Sequence, residues 1–268
     1  MPTKLHRSEW HKQRPTSSSE RPESNAPAAE DRVDGLRAGL ALFARRPHDI
    51  VRIAHAAAVR VEIQELVRWA AARHVPCKEM ASADLDRLAG SAHHEGLCVF
   101  ARPRPWLPAH DLADLLVMNR ATAVALDRVR NPYNVGAILR CAAFFGVDAF
   151  LNGAPAPHPE LSPIAVRVAE GGVEYLRCCR TTDLGATLSR LRARGVHVIG
   201  ADGHTGSSVR GFAFARPTVL VVGHEREGLS ARVRAECEAF VAVRGAGKID
   251  SLNVAVAAGV LLGELTGR

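Results

Sequence analysis

Apolar positions are sparse over residues 1–31. They fall at mixed helix and strand spacings over 33–103, and from residue 119 onward they recur in short runs that alternate with helical patterns. The first stretch contains PTSSSERPESNAPAAE. It is polar and rich in Ser, Pro and Glu, cannot bury enough surface to offset its ordering entropy, and reads as a disordered tail. Residues 33–103 read as a small α/β domain. Leu36, Leu40 and Phe43 share one side of a helix at 35–43, and Leu66, Val67 and Ala70 share one side of a helix at 61–74. Strands are expected at 50–54, from 75–76 and at 96–101, with a short helix at 82–89. The proline-spaced stretch 103–108 around Trp106 suits a semi-rigid connector. A short helix at 112–118 completes a linker over 104–118.

Residues 119–268 carry the strongest pattern. Strands are expected at 124–126, 149–151, 175–178, 196–200, 219–222 and 240–243. Helices are expected at 136–145, 163–168, 184–194 and 232–236. This alternation predicts a parallel sheet with helices on both faces. A last helix, opened by Ser251-Leu252-Asn253, is apolar on nearly every side through Leu262, which predicts burial. Asn253 falls in its first turn, and Asp250 or Ser251 can cap it. An unpaired buried amide costs about 1–3 kcal/mol, so Asn253 holds either the adjacent loop or a ligand.

Charge adds a partner class. The formal net charge is +7, and residues 119–268 hold 18 Lys/Arg against 13 Asp/Glu while 33–118 hold 11 against 10. A basic second half fits a nucleic acid, and a solvated arginine-rich surface would look the same. The six cysteines include no CxxC pair, and Cys178 and Cys179 are adjacent. Neither a zinc knuckle nor an ordinary disulfide fits, so cytoplasmic thiols are expected. No apolar run approaches the roughly 18 residues of a membrane span. The N-terminus lacks the apolar centre of a signal peptide.

Three stretches concentrate the chemistry: NPYNVGAILRCAAFFG at 131–146, VVGHEREGLS at 221–230 and GKIDSLNVAVAAG at 247–259. Arg140 lies one helical turn after Gly136, and its fork of donors suits a phosphate or a neighbouring acid. Glu225 can anchor Asn134 or Arg140. The His224-Glu225 pair is not a zinc helix, because Gly228 stands where the second histidine would be. GAGK at 245–248 is not a phosphate loop: Ala242 replaces its first glycine and Ile249 its Ser/Thr. His93 and His94 are neighbours in an extended segment and point apart, which suits a turn better than a metal pair.

In this order and at these separations, the three stretches resemble the signature motifs of the SpoU (TrmH-type) RNA ribose methyltransferases of the SPOUT class, over residues 123–268. Residues 33–103, with His93-His94-Glu95-Gly96 near their end, are similar to that family's substrate-binding domain. The resemblance implies a C-terminal trefoil knot and S-adenosylmethionine bound bent in the knot's loops. Gly223, Val243 and Leu252 would hold it, with the 200–203 loop nearby. It implies Asn134, Arg140, Glu225, Ser251 and Asn253 as catalytic residues, a homodimer, no metal, and methyl transfer to a ribose 2′-hydroxyl of tRNA or rRNA. Arginine hardly ever loses its proton, so Arg140 would hold a phosphate and polarise the hydroxyl at lower cost than it would act as a base. Three positions depart from the family pattern: His224, Arg244 in place of proline, and Ala169-Glu170-Gly171-Gly172 in place of a Ser-Ala-Gly step. Two rival functions are a non-catalytic RNA-binding protein on this fold and a base methyltransferase.

Overall fold

The computed structural model describes residues 30–153 and 161–267. The tail expected over 1–31 lies outside them, apart from its last two residues. Its last residue, Asp31, is instead the start of a strand, β1 (Asp31–Asp34), which pairs antiparallel with β4 (Leu97–Ala101). The first sheet is completed by β2 (Ile50–His55) and β3 (Cys77–Glu79), in the order β1-β4-β2-β3. Helices α1 (Leu36–Arg45), α2 (Gln64–Ala72) and α3 (Ser82–Ala89) bury Leu42, Leu66 and Leu85. The helix expected at 61–74 starts late, because 57–63 are spent in a one-turn helix and a turn. His93-His94 forms the expected turn before β4. His94 is buried, accepts the Gly96 N–H at 2.9 Å and meets Asp86 at 2.9 Å.

The second sheet has seven strands, all parallel, in the order β7-β6-β5-β10-β8-β11-β9. They are β5 (Thr122–Asp127), β6 (Ala149–Gly153), β7 (Arg177–Thr181), β8 (His197–Ala201), β9 (Ser207–Ser208), β10 (Thr218–Gly223) and β11 (Ala239–Ala242). Period-2 alternation decides which face each side chain serves. In β5, Val124 and Leu126 join one core, while Ala123 and Ala125 join the other. The first core is covered by α5 (Pro132–Phe144), α6 (Pro163–Val168) and α9 (Val254–Thr266), and it is continuous with the core of the small sheet. The second is covered by α4 (Ala109–Asn119), α7 (Leu184–Ala193) and α8 (Ala231–Arg234). Within the stretch expected as a linker, 104–118, α4 packs on the large sheet. Leu112 and Leu116 of α4 are fully buried in the second core, so this helix belongs to the large domain.

The strand expected at 175–178 runs instead from Arg177 to Thr181, after a one-turn helix at Gly172–Tyr175. Cys178 and Cys179 fall on opposite faces of it, one in each core. Burial pushes both thiols up to about 11. The last helix also differs from expectation. Asn253 is its N-cap, and the helix begins at Val254. It is not buried all round, because Val256 and Val260 are 55% and 42% exposed beside Phe144 at 79%. Strand β11 lies between β8 and β9, so these two strands flank it and their connection, 202–206, passes across its end. No helix among the described residues is long and apolar enough to cross a membrane.

Candidate active site

The C-terminal ends of β5, β10, β8 and β11 lie side by side, with Asp127 opposite Gly223, Val221 opposite Gly200, and Phe240 opposite Gly200 on the other side. In an open parallel sheet this edge, near a reversal of strand order, is where ligands bind. The three motif stretches all leave the sheet here.

The first motif enters α5 through Asn131. Its side chain caps the helix by accepting the Tyr133 N–H at 3.0 Å, and Pro132 fills the first helical position. Asn134 therefore sits in the first turn, held at the sheet edge. The second motif is a tight return after β10: His224 and Gly228 exchange backbone hydrogen bonds at 3.1 and 2.9 Å. This brings the Gly228 backbone against Gly223, where an added Cβ would lie 2.4 Å from the Gly228 carbonyl carbon. Gly223 must be glycine for the return to close. The His224 departure is explained here as well. Its Nδ1 accepts the Arg226 and Glu227 N–H groups at 3.2 and 3.3 Å, which leaves the ring proton on Nε2, 3.9 Å from Glu225.

Three side chains from the three motifs join in one directional chain. Asn253 accepts the Ala255 and Val256 N–H groups at 2.9 and 3.4 Å, which caps α9. Its amide NH₂ donates to the Asn134 carbonyl oxygen at 3.1 Å, and the Asn134 NH₂ donates to Glu225 at 2.7 Å. The carboxylate at one end and the helix N–H groups at the other fix both amide orientations. Asn134, Glu225 and Asn253 are 119 and 91 residues apart along these links and meet within one protomer. Ser251 and Leu252 are exposed on the segment leading to Asn253 and stay outside the chain of bonds.

Arg140 does not join them. Of the two partners expected for Glu225, the structure selects Asn134; Arg140 donates instead to Glu170 at 2.8 Å. Among the described residues Arg140 spends one N–H there and keeps four.

The proposed cofactor residues stand at the same edge. Gly223 ends β10, Val243 follows β11, and Leu252 is half-exposed at 51% near Ile249 at 82%. A Cβ added at Gly203, Gly245 or Gly247 would meet nothing within 4 Å, so these loops border open space. Apolar side chains, free space and glycine backbone together fit a nucleoside-bearing cofactor. Arg244 holds the wall of this space by donating to the Gly203 carbonyl at 3.4 Å and to the Gly206 carbonyl. A proline there could not make these bonds, so the departure replaces ring rigidity with a clasp. Asp202 braces the same loop, accepting from His204 N–H at 2.8 Å, from Thr205 N–H at 3.1 Å and from Arg234. Burial opposes ionisation of Asp202, but those donors outweigh it and hold its carboxyl well below the usual range. Among the described residues, no three His, Cys, Asp or Glu side chains converge as a metal group.

Two supporting residues escaped the motif reading. Asp127 is buried at the end of β5 and accepts the Ser230 N–H at 2.6 Å, tying the first motif to the second. Arg128 reaches Glu227 and the Gly228 carbonyl, the latter at 3.1 Å. A charged pair, Asp127-Arg128, directly after the apolar run Ala123–Leu126 was the available signal.

Residues 121–263 match the SpoU rRNA Methylase family, and residues 33–107 match the family described as RNA 2′-O ribose methyltransferase substrate binding. An uncharacterized tRNA/rRNA methyltransferase of Mycolicibacterium gilvum is 32% identical over 87% of this chain and 73% of its own length. The uncharacterized tRNA/rRNA methyltransferase YfiF of Escherichia coli O157:H7 is 32% identical over 88% of this chain and 68% of its own. Among solved structures, the SpoU methyltransferase AviRb of Streptomyces viridochromogenes, in complex with its cofactor AdoMet, superposes with a TM-score of 0.71. It is 26% identical and covers 89% of this chain and 90% of its own. With both halves matched in order, and with the three motifs brought to one edge of the sheet, the chain belongs to the SpoU rRNA methylase family.

Proposed function

We propose that this protein transfers a methyl group from S-adenosylmethionine to a ribose 2′-hydroxyl of tRNA or rRNA, acting in the cytoplasm. The observation that carries the reading is the Asn253–Asn134–Glu225 chain, which stands at the sheet edge that also carries Gly223 and Val243 and the open space beside Gly203, Gly245 and Gly247. The cofactor, when bound there, supplies a methyl group on a positively charged sulfur. The protein's own residues do the placing. Glu225 locks the Asn134 amide, and Asn253 locks it from the other side, so neither has to reorganise when a sugar arrives. Arg140 offers its unspent donors to an RNA phosphate and so sets the distance between the sugar oxygen and the cofactor. Ser251, exposed one residue before Leu252, is assigned a polar contact to the sugar. Most of the rate enhancement then comes from holding two reactants in line.

The exposed apolar side chains Phe144, Val256 and Val260 on the paired helices α5 and α9 support a homodimer through that face. The helices share it with the site, so a second copy would extend the basic surface available to RNA.

The test uses purified protein, S-adenosylmethionine and total tRNA or rRNA, followed by digestion to nucleosides and mass measurement. A ribose-methylated nucleoside is expected, and its yield should fall by at least about a thousandfold in Asn134→Ala and Arg140→Ala. A methyl found on the base would replace the ribose assignment. No calorimetric heat with S-adenosylmethionine would make the protein an RNA-binding relative without this activity.

A further inference from the structure

The segment 169–172 departs from the family pattern, and the structure shows what the departure builds. It is wedged between α1 of the small domain and α5 of the large one. An added Cβ at Gly171, which has φ +83°, would lie 2.4 Å from the Ala41 Cβ. One at Gly172 would lie 3.1 Å from the Arg140 Cα. Gly171 has no room for a side chain and Gly172 is tightly packed, so the long side chain this wedge presents is Glu170. Its carboxylate takes one guanidinium from each domain: Arg140 donates to Oε1 at 2.8 Å and Arg37 to Oε2 at 2.8 Å. Glu170 does this from a left-handed backbone, φ 45°, which costs a residue with a Cβ and favours glycine.

Stability does not account for that choice. Both arginines are exposed, with side-chain accessibilities of 71% for Arg37 and 51% for Arg140, and exposed pairs contribute little. A glycine at 170 would relieve the backbone and lose almost nothing in the fold. What it would lose is the one contact that fixes the Arg140 guanidinium while leaving four of its donors free.

We propose that Glu170 is a positioning residue for Arg140: it holds the guanidinium in the orientation that receives an RNA phosphate, and Arg37 ties that orientation to the substrate-binding domain. This rests on the assignment of Arg140 to the reaction. Each bond to Glu170 uses a single oxygen, so the arginine is steadied without being saturated. A free arginine samples many rotamers, and about an ångström of misplacement at a reacting centre is enough to slow turnover.

The experiment measures kcat, KM for RNA, KM for S-adenosylmethionine and thermal melting in Glu170→Ala, Glu170→Gly, Glu170→Gln, Arg37→Ala and Arg140→Ala. Glu170→Ala and Glu170→Gly should lower kcat about tenfold with both KM values within about twofold of wild type. Glu170→Gly should melt at or above the wild-type temperature, which separates a positioning role from a structural one. Glu170→Gln keeps an oxygen for Arg140 and should lose no more than about threefold, whereas Arg37→Ala, which removes only the second anchor, should lower kcat measurably, by about threefold. A wild-type kcat in Glu170→Ala overturns the proposal. So does a lower KM for RNA at unchanged kcat, which would make the carboxylate a competitor of the phosphate. A wild-type kcat in Arg37→Ala overturns the link to the small domain. If Arg140→Ala itself turns over normally, the role of Arg140 fails first. If Arg140→Ala is inactive and Glu170→Ala is not impaired, only the role of Glu170 fails.

Discussion

Glu170 and Glu174 stand four residues apart, and each receives two arginines from separate parts of the chain. Their surroundings give the two clusters different consequences. The Glu174 side chain is 1% exposed and takes Arg46 at 2.9 Å and Arg104 at 2.6 and 3.2 Å. Burial alone would push Arg104 towards its neutral form, but the Glu174 carboxylate beside it raises it instead. The carboxylate and both guanidinium groups are largely withdrawn from water and paired, which fastens the small domain and its connector to the large one. Glu170 meets its arginines in partial solvent, where the same pairing is screened. Burial decides whether a carboxylate between two arginines stabilises the fold or leaves an arginine available to a ligand.

The comparison breaks most visibly in unfolding experiments. Glu174→Ala removes the carboxylate that two mostly buried guanidinium groups share: Arg104 then keeps the Val173 carbonyl, and Arg46 keeps Asp49 at 3.4 Å but already has one buried nitrogen without a hydrogen-bond partner among the described residues. Removing one member of a buried ion pair costs about 3–5 kcal/mol, so urea unfolding should show a loss of that size. Glu170→Ala should shift the same measurement by less than about 1 kcal/mol. Similar losses for the two variants would mean that depth of burial does not separate them.

Asp202 gives an intermediate case. It is mostly buried, with Arg234 as its charged partner and two loop N–H groups besides. Its folded carboxyl is held below the unfolded range of about pH 4. The stabilisation is therefore complete above about pH 4 and is lost as the pH falls below it toward the folded value. Asp202→Asn should cost about 1–2 kcal/mol at pH 7, and the gap to wild type should narrow in unfolding curves taken at pH 3. A gap that stays constant with pH would show that the loop is held by its backbone alone. The cofactor wall that Arg244 clasps should loosen with it, so KM for S-adenosylmethionine should rise about threefold at pH 7.

Legibility in the sequence followed the same physics. The parallel strands of the large domain are buried on both faces and announce themselves as apolar runs. β1 and β9 could not be read, because Asp31–Asp34 holds one apolar residue, Val33, and Ser207–Ser208 holds none. Both are edge strands, specified by pairing rather than by burial. The three motifs were legible because each carries a local device: a capping Asn131 with Pro132, a glycine return at Gly223, an amide at a helix start. The Asn253 side chain follows neither alternative read from the sequence: it is exposed rather than buried, it caps α9 itself in place of Asp250 or Ser251, and it reaches Asn134. The partner of Arg140 was not legible. Glu170 lies 30 residues away, and its reach depends on two glycines whose packing only the folded domains reveal.

Asn253→Ser supplies the smallest stability effect and the sharpest separation of fold from function. The Asn253 carbonyl oxygen caps α9, while its amide nitrogen serves Asn134. Asn253→Ala removes both and should cost about 1 kcal/mol in unfolding, the usual value for a lost cap. Asn253→Ser keeps an oxygen for the Ala255 N–H, and serine caps a helix nearly as well as asparagine, so stability should stay within about 0.3 kcal/mol of wild type. The serine hydroxyl is too short to replace the amide at Asn134, whose carbonyl oxygen is then free to turn. Turnover should fall about a hundredfold in both variants, with KM for RNA little changed. Normal turnover in Asn253→Ser would show that Glu225 alone orients Asn134. That outcome would reduce the three-residue chain to a pair and leave Asn253, like Glu174, as a residue of the fold.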